Sequence, residues 1–214
     1  MKKTLFAAVM SVAVSSGAYA GVGIFGSYIG INANGGGNSW YGAQEWGTDI
    51  QNFGGANLGT IDTSASGTLT ISGFQVQTFK FDGGDITGAN LQYRVYLTNA
   101  TPGSFNAVAA GFIANAPFTA AQGSQASGGG DQNWGLNPPG SYANIMTGIS
   151  ANGIYNLEVY FEATSNEGTQ FSNNGGANYI ATFEVVPEPS TYALLTLSAL
   201  AMGGYVIRRR RRMS

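Results

Sequence analysis

The chain has no cysteine and no histidine, and only 9% of its residues are charged. Without cysteine, no disulfide frame can hold an exported domain together, so packing must do it. Without histidine or cysteine, the Ser-His-Asp and Cys-His arrangements and the common zinc ligand sets are excluded. Positive charge is scarcer still in the central part. Between Gly21 and Val186 only Lys80 and Arg94 oppose Glu45, Asp49, Asp62, Asp82, Asp85, Asp131, Glu158, Glu162, Glu167 and Glu184, a formal −8. The −2 of the whole chain is therefore produced by its two ends. Phosphate recognition needs clustered Lys and Arg, so nucleic acid is excluded as a partner, whereas calcium or a basic surface fits the charge. An amphipathic helical period is missing from residues 21 to 186. Glycine, at 33 residues, is abundant, as expected for short strands joined by many turns.

The ends carry the long apolar runs. Lys2 and Lys3 precede the apolar stretch Leu5 to Val14, and Ala18-Tyr19-Ala20 has the small-x-small pattern of a signal peptidase site. The expectation is a signal peptide over residues 1–20 and a mature chain beginning at Gly21. At the other end, the sixteen residues from Tyr192 to Ile207 carry no charge. As a helix they span roughly 24 Å, short of the roughly 30 Å core of a bilayer. Arg208 can make up the difference by laying its aliphatic stem along the apolar surface. The run Arg208, Arg209, Arg210, Arg211 and Arg212 holds that end in the cytoplasm, which puts residues 21–186 on the far side of the membrane. Pro187 and Pro189 restrict Glu188 and the preceding residue to extended backbone, so the helix starts no earlier than Ser190.

Pro187-Glu188-Pro189, the apolar run and the terminal arginines together resemble the PEP-CTERM sorting signal of Gram-negative bacteria. That resemblance implies recognition and cleavage at the motif by a membrane-embedded transpeptidase-like partner, an exosortase. It also implies passage through the inner membrane on a single C-terminal helix, followed by release to the cell surface or extracellular matrix. Three segments are expected: a signal peptide (1–20), a secreted domain (21–186) and a sorting tail (187–214) with its transmembrane helix at 192–207. An ordinary single-span anchor after a proline-rich linker is the alternative reading of the same tail.

The 166 residues from 21 to 186 suffice for one domain with a real core. Residues 22–32 read as a first strand, 39–44 as a short one with Trp40, then 58–61, 68–71 and 74–81. In 89–98, Leu91, Tyr93, Val95 and Leu97 alternate with Gln92, Arg94, Tyr96 and Thr98, the period of a half-buried antiparallel strand. Weak strand signals lie at 104–108 and 111–114, and 121–133 reads as a long polar loop. Pattern returns at 153–163, where Tyr155, Leu157, Val159 and Phe161 alternate with Asn156, Glu158, Tyr160 and Glu162, and at 177–185. The last two are expected to form a hairpin about Asn173 to Gly176. Eight or nine such strands indicate an all-β fold, an antiparallel β-sandwich of immunoglobulin-like or jelly-roll-like kind.

Asp85 to Ala89 with Tyr93 to Tyr96, Gly130 to Trp134, Tyr155 to Tyr160 and Asn173 to Phe183 also resemble a β-module that recurs in large secreted bacterial proteins. That module implies an extracellular setting and supplies no catalytic residue. Carboxylates are what remains for chemistry. Glycosidic cleavage needs two of them about 5 to 9.5 Å apart, but Glu158 and Glu162, four residues apart on one strand face, sit roughly 13 Å apart along the backbone. Asp82 and Asp85 on a two-glycine turn are the candidate calcium ligands, with Asp131 or Asp62 as further donors, and a plain hairpin turn explains the same residues. Trp40, Tyr41, Trp46, Trp134 and Tyr142 are candidate sugar-stacking rings, with core packing expected for at least one of Trp40 and Trp134. The sequon Asn99-Ala100-Thr101 is a common accident. The expectation is a non-catalytic structural or adhesive protein without a cofactor other than calcium. Its expected partners are signal peptidase, an exosortase and exopolysaccharide. The alternative is a carbohydrate-active enzyme using paired carboxylates.

Overall fold

A computed structural model describes residues 21–44, 50–63, 67–119, 125–126, 128–138, 140–186 and 195–202. The expected signal peptide, Trp46, Pro187 to Pro189 and Arg208 to Arg212 lie outside the described residues. Two sheets, antiparallel except for one parallel edge pair in the second, face one another. The strands in chain order are β1 (Gly21–Ala33), β2 (Asn38–Gln44), β3 (Asn57–Asp62), β4 (Leu69–Phe81), β5 (Ile86–Leu97), β6 (Asn106–Ala109), β7 (Gly111–Asn115), β8 (Phe118–Thr119), β9 (Gln125–Ala126), β10 (Gln132–Leu136), β11 (Ala143–Asn144), β12 (Gly153–Ser165), β13 (Gly168–Ser172) and β14 (Tyr179–Val186). The first sheet runs β2-β1-β4-β10-β7, with β11 also on β4, and the second runs β3-β14-β12-β5-β6, with β13 also on β12. β8 and β9 pair separately.

Alternation explains the core. Ile29, Ile31, Ile71, Phe74 and Val76 of the first sheet meet Leu91, Leu157, Val159, Phe161, Ala181 and Phe183 of the second, all essentially inaccessible to solvent. Each such large apolar side chain contributes about 1.5–3 kcal/mol by leaving water. Between the sheets a hydroxyl chain replaces apolar contact: Ser27 Oγ lies 2.8 Å from Ser172 Oγ, which lies 3.2 Å from the Tyr179 hydroxyl. Glycine is required where strands crowd. A Cβ on Gly135 would sit 2.0 Å from the Phe74 carbonyl oxygen, so β10 can approach β4 this closely only with hydrogen at that position.

Two expectations change, and a third falls partly outside the described residues. The expected hairpin of 153–163 with 177–185 exists as a pairing, Tyr155 opposite Phe183, but β13 intervenes in the chain. The tight turn therefore joins β12 to β13, and β14 returns to pair with the first half of β12. The stretches 68–71 and 74–81 are one strand, β4, whose register against β1 slips between Gly30 and Ile31. In the tail, the expected helix over 192–207 is described only over residues 195–202. Among the described residues no helix is long and apolar enough to cross a membrane.

Candidate functional site

The outer face of the second sheet is built from the polar half of the alternation. In the register of β12 and β5, Glu158 stands opposite Arg94, Tyr160 opposite Gln92 and Glu162 opposite Asn90. Glu158 is nevertheless buried, at 3% exposure, because its own partners cover it. Arg94 donates to both carboxylate oxygens, Nε to Oε2 at 2.9 Å and Nη2 to Oε1 at 2.8 Å. The Tyr96 hydroxyl donates to Oε2 at 2.9 Å, and Asn178 Nδ2 donates to Oε1 at 2.6 Å. Asn178 reaches the carboxylate from a left-handed backbone conformation, φ 57°, just before β14. Burial pushes the Glu158 carboxyl up, but the bonds from Arg94, Asn178 and Tyr96 and the guanidinium charge outweigh it and hold the group below its ordinary range. Such a carboxylate has no proton to give at neutral pH. Burial, then the hydrogen bond to Glu158, pushes the Tyr96 phenol up.

The same face carries a row of aromatic rings. Phe105 meets Tyr160 edge-on at 4.9 Å between centroids, and Tyr160 meets Phe171 of β13 at 6.3 Å. Arg94 lies over Phe105, 4.2 Å from its centroid. Beside the row, Glu162 Oε1 accepts from Asn90 Nδ2 at 3.0 Å and from Gln92 Nε2 at 2.8 Å.

The Asp82 to Asp85 turn is held by other means. Asp82 adopts φ 52°, and Asp85 pairs with Lys80 at 2.6 Å. The bond from Lys80, then its charge, lowers the Asp85 carboxyl below its ordinary range. Asn166 closes the turn, accepting from the Asp85 backbone N–H and donating to the Gly83 carbonyl oxygen. Asp131 accepts from the Gly128 backbone N–H instead, and Asp62 ends β3, the edge strand of the second sheet on the side away from β5. No group of three acidic side chains placed to hold a metal ion occurs among the described residues.

The aromatic candidates separate. Tyr41 is buried and meets Phe53 edge-on, Trp40 is half-buried in β2, and Tyr142 is exposed and donates to the Asn137 carbonyl oxygen. Trp134 belongs to β10 and packs against the core and Phe112, which meets the core-packing expectation. The rings Phe105, Tyr160 and Phe171 escaped the sequence reading, because their proximity depends on which strands pair. Two clefts of about 520 and 250 Å³ open at loops, and neither is lined by a carboxylate.

The last strand of the fold leads into the tail. β14 runs between β12 and β3, and its pairing with β3 is parallel, holding as far as Val186 opposite Asp62. Thr63 Oγ1 donates to the Val186 carbonyl oxygen at 3.3 Å. Only residues 187 to 191 separate that point from the apolar run, and five fully extended residues reach about 18 Å at most.

Fold and tail together define an all-β sandwich whose last structural strand leads into a C-terminal sorting signal. Residues 185–212 match the family model of the PEP-CTERM protein-sorting motif. The match starts inside β14 and covers the tail, so the chain carries the signal of an exported protein processed by an exosortase-type system. No curated protein matches the chain.

Proposed function

We propose that residues 21–186 are a non-catalytic structural or adhesive domain of the cell surface or extracellular matrix. Signal peptidase removes residues 1–20, and an exosortase-like transpeptidase cuts at Pro187-Glu188-Pro189 after the tail has held the chain in the inner membrane. The observation that supports this reading is the sorting motif continuing directly from β14, so that the folded body is the part to be delivered. The state of the carboxylates agrees with it. Glu158 is committed to four donors, and Glu162 Oε1 to two amides, which speaks against these two glutamates serving as an acid and base pair.

The test is the intact mass of the protein recovered from native cell envelope and medium. The expected species begins at Gly21 and ends within Pro187 to Pro189, with or without an added group. A mature species still carrying Arg208 to Arg212 would overturn the delivery step and leave a permanently anchored protein.

A further inference from the structure

We propose that the outer face of the second sheet binds a neutral polysaccharide chain along the row Phe105, Tyr160 and Phe171. This deepens the adhesive reading above and rests on it. A pyranose ring offers an apolar C–H face to an aromatic ring and hydroxyls at its rim, so its binding surface needs rings with polar groups alongside. This face has both. Phe171 is 53% exposed, and the three rings touch in sequence across strands β12 and β13 and the segment before β6. Asn90 and Gln92 both give their NH₂ groups to Glu162, which turns their carbonyl oxygens away from that carboxylate as fixed acceptors for sugar hydroxyls.

The surface is also rigid before anything binds. Arg94 stacks on Phe105 while held by both oxygens of a buried glutamate, so little side-chain freedom is left to lose on binding. Charge selects the class of polymer. Lys80 and Arg94 are the only cations between Gly21 and Val186, and each is paired with a carboxylate. An acidic polysaccharide would meet a domain of formal charge −8 with no unpaired cation to receive it, so the occupant is uncharged. The stacked pair Phe79 and Phe81, of which Phe81 is exposed, differs in setting. It stacks over Gly23 and Gly21 of β1 and fills the space their missing side chains leave.

The experiment is retention of the full-length chain, purified in detergent, on insoluble cellulose and chitin and, in parallel, on immobilised alginate. Retention on at least one neutral polymer is expected, and any retention on alginate, which the run Arg208 to Arg212 can bind, should be unchanged in Phe171→Ala. Phe171→Ala should weaken retention on the neutral polymer about fivefold to tenfold, the scale of one lost ring contact. Phe81→Ala should leave it unchanged, with unfolding midpoints confirming that both variants are folded. Failure to bind either neutral polymer, alginate retention that Phe171→Ala weakens, or a Phe171→Ala variant that binds the neutral polymer like the parent would overturn the proposal. So would a self-association in light scattering that Phe171→Ala abolishes, since a second copy would then occupy the face. Retention does not depend on how the tail is processed, so failure here leaves the delivery reading standing or falling on the mass measurement.

Discussion

Lys80 with Asp85 and Arg94 with Glu158 are charge pairs of similar length, 2.6 and 2.8 Å, in opposite settings. The first lies beside an exposed turn, its side chains 28% and 56% accessible; in the second the glutamate is 4% accessible. An exposed pair trades water for a partner at almost no gain, and salt screens what is left. In the buried pair, losing one member strands the other where water cannot reach it. Contact distance alone therefore says little about what a pair contributes, and burial decides it.

The largest effect should come from Arg94→Ala, which leaves the Glu158 carboxylate buried without its cation. A loss of about 3 kcal/mol in unfolding free energy is expected from denaturant titration. A loss within error of zero would mean that Tyr96 and Asn178 alone hold the carboxylate, and the contrast between the two pairs would collapse. Acid should come next. Because the folded Glu158 group titrates below its ordinary value of 4.5, its contribution is complete above that value and is lost as pH falls through the folded value. The unfolding midpoint should drop below about pH 4.5, and Glu158→Gln, which cannot titrate, should show a shallower drop. Parallel curves for parent and variant would assign the acid sensitivity to other carboxylates. The smallest effect is expected of Asp85→Asn, with no resolvable change in midpoint at neutral pH and moderate salt. A clear drop would show that the turn depends on the ion pair as well as on Asn166.

Legibility in the sequence followed the range of the interactions. The alternation of Leu91, Tyr93, Val95 and Leu97, and of Tyr155, Leu157, Val159 and Phe161, assigned both strands and the faces they turn inward, because a period of two is a local property of the backbone. The same alternation placed Glu158 on the outward face and could not show that it is buried there. Its burial depends on Arg94 from 64 residues away and Asn178 from 20 residues away. The intervening β13 was missed because Gly168 to Ser172 is short and polar except for Phe171, with too few positions to show a period. The parallel pairing of β3 with β14 had no local signal at all, since it joins residues more than a hundred positions apart.

The sequence by itself determined the destination signals and the fold class. A run of uncharged residues beside five arginines, a Pro-Glu-Pro tripeptide and alternating strands are properties of adjacent residues, and each acts through membrane partition or backbone geometry over a short stretch. Only the tertiary structure decided which face of the sandwich carries an ordered aromatic row, and which of ten acidic side chains between Gly21 and Val186 is buried with an arginine. Those facts arise from pairing strands distant in sequence. The register of that pairing is set by the total apolar burial of both sheets, a quantity that no single stretch of chain contains.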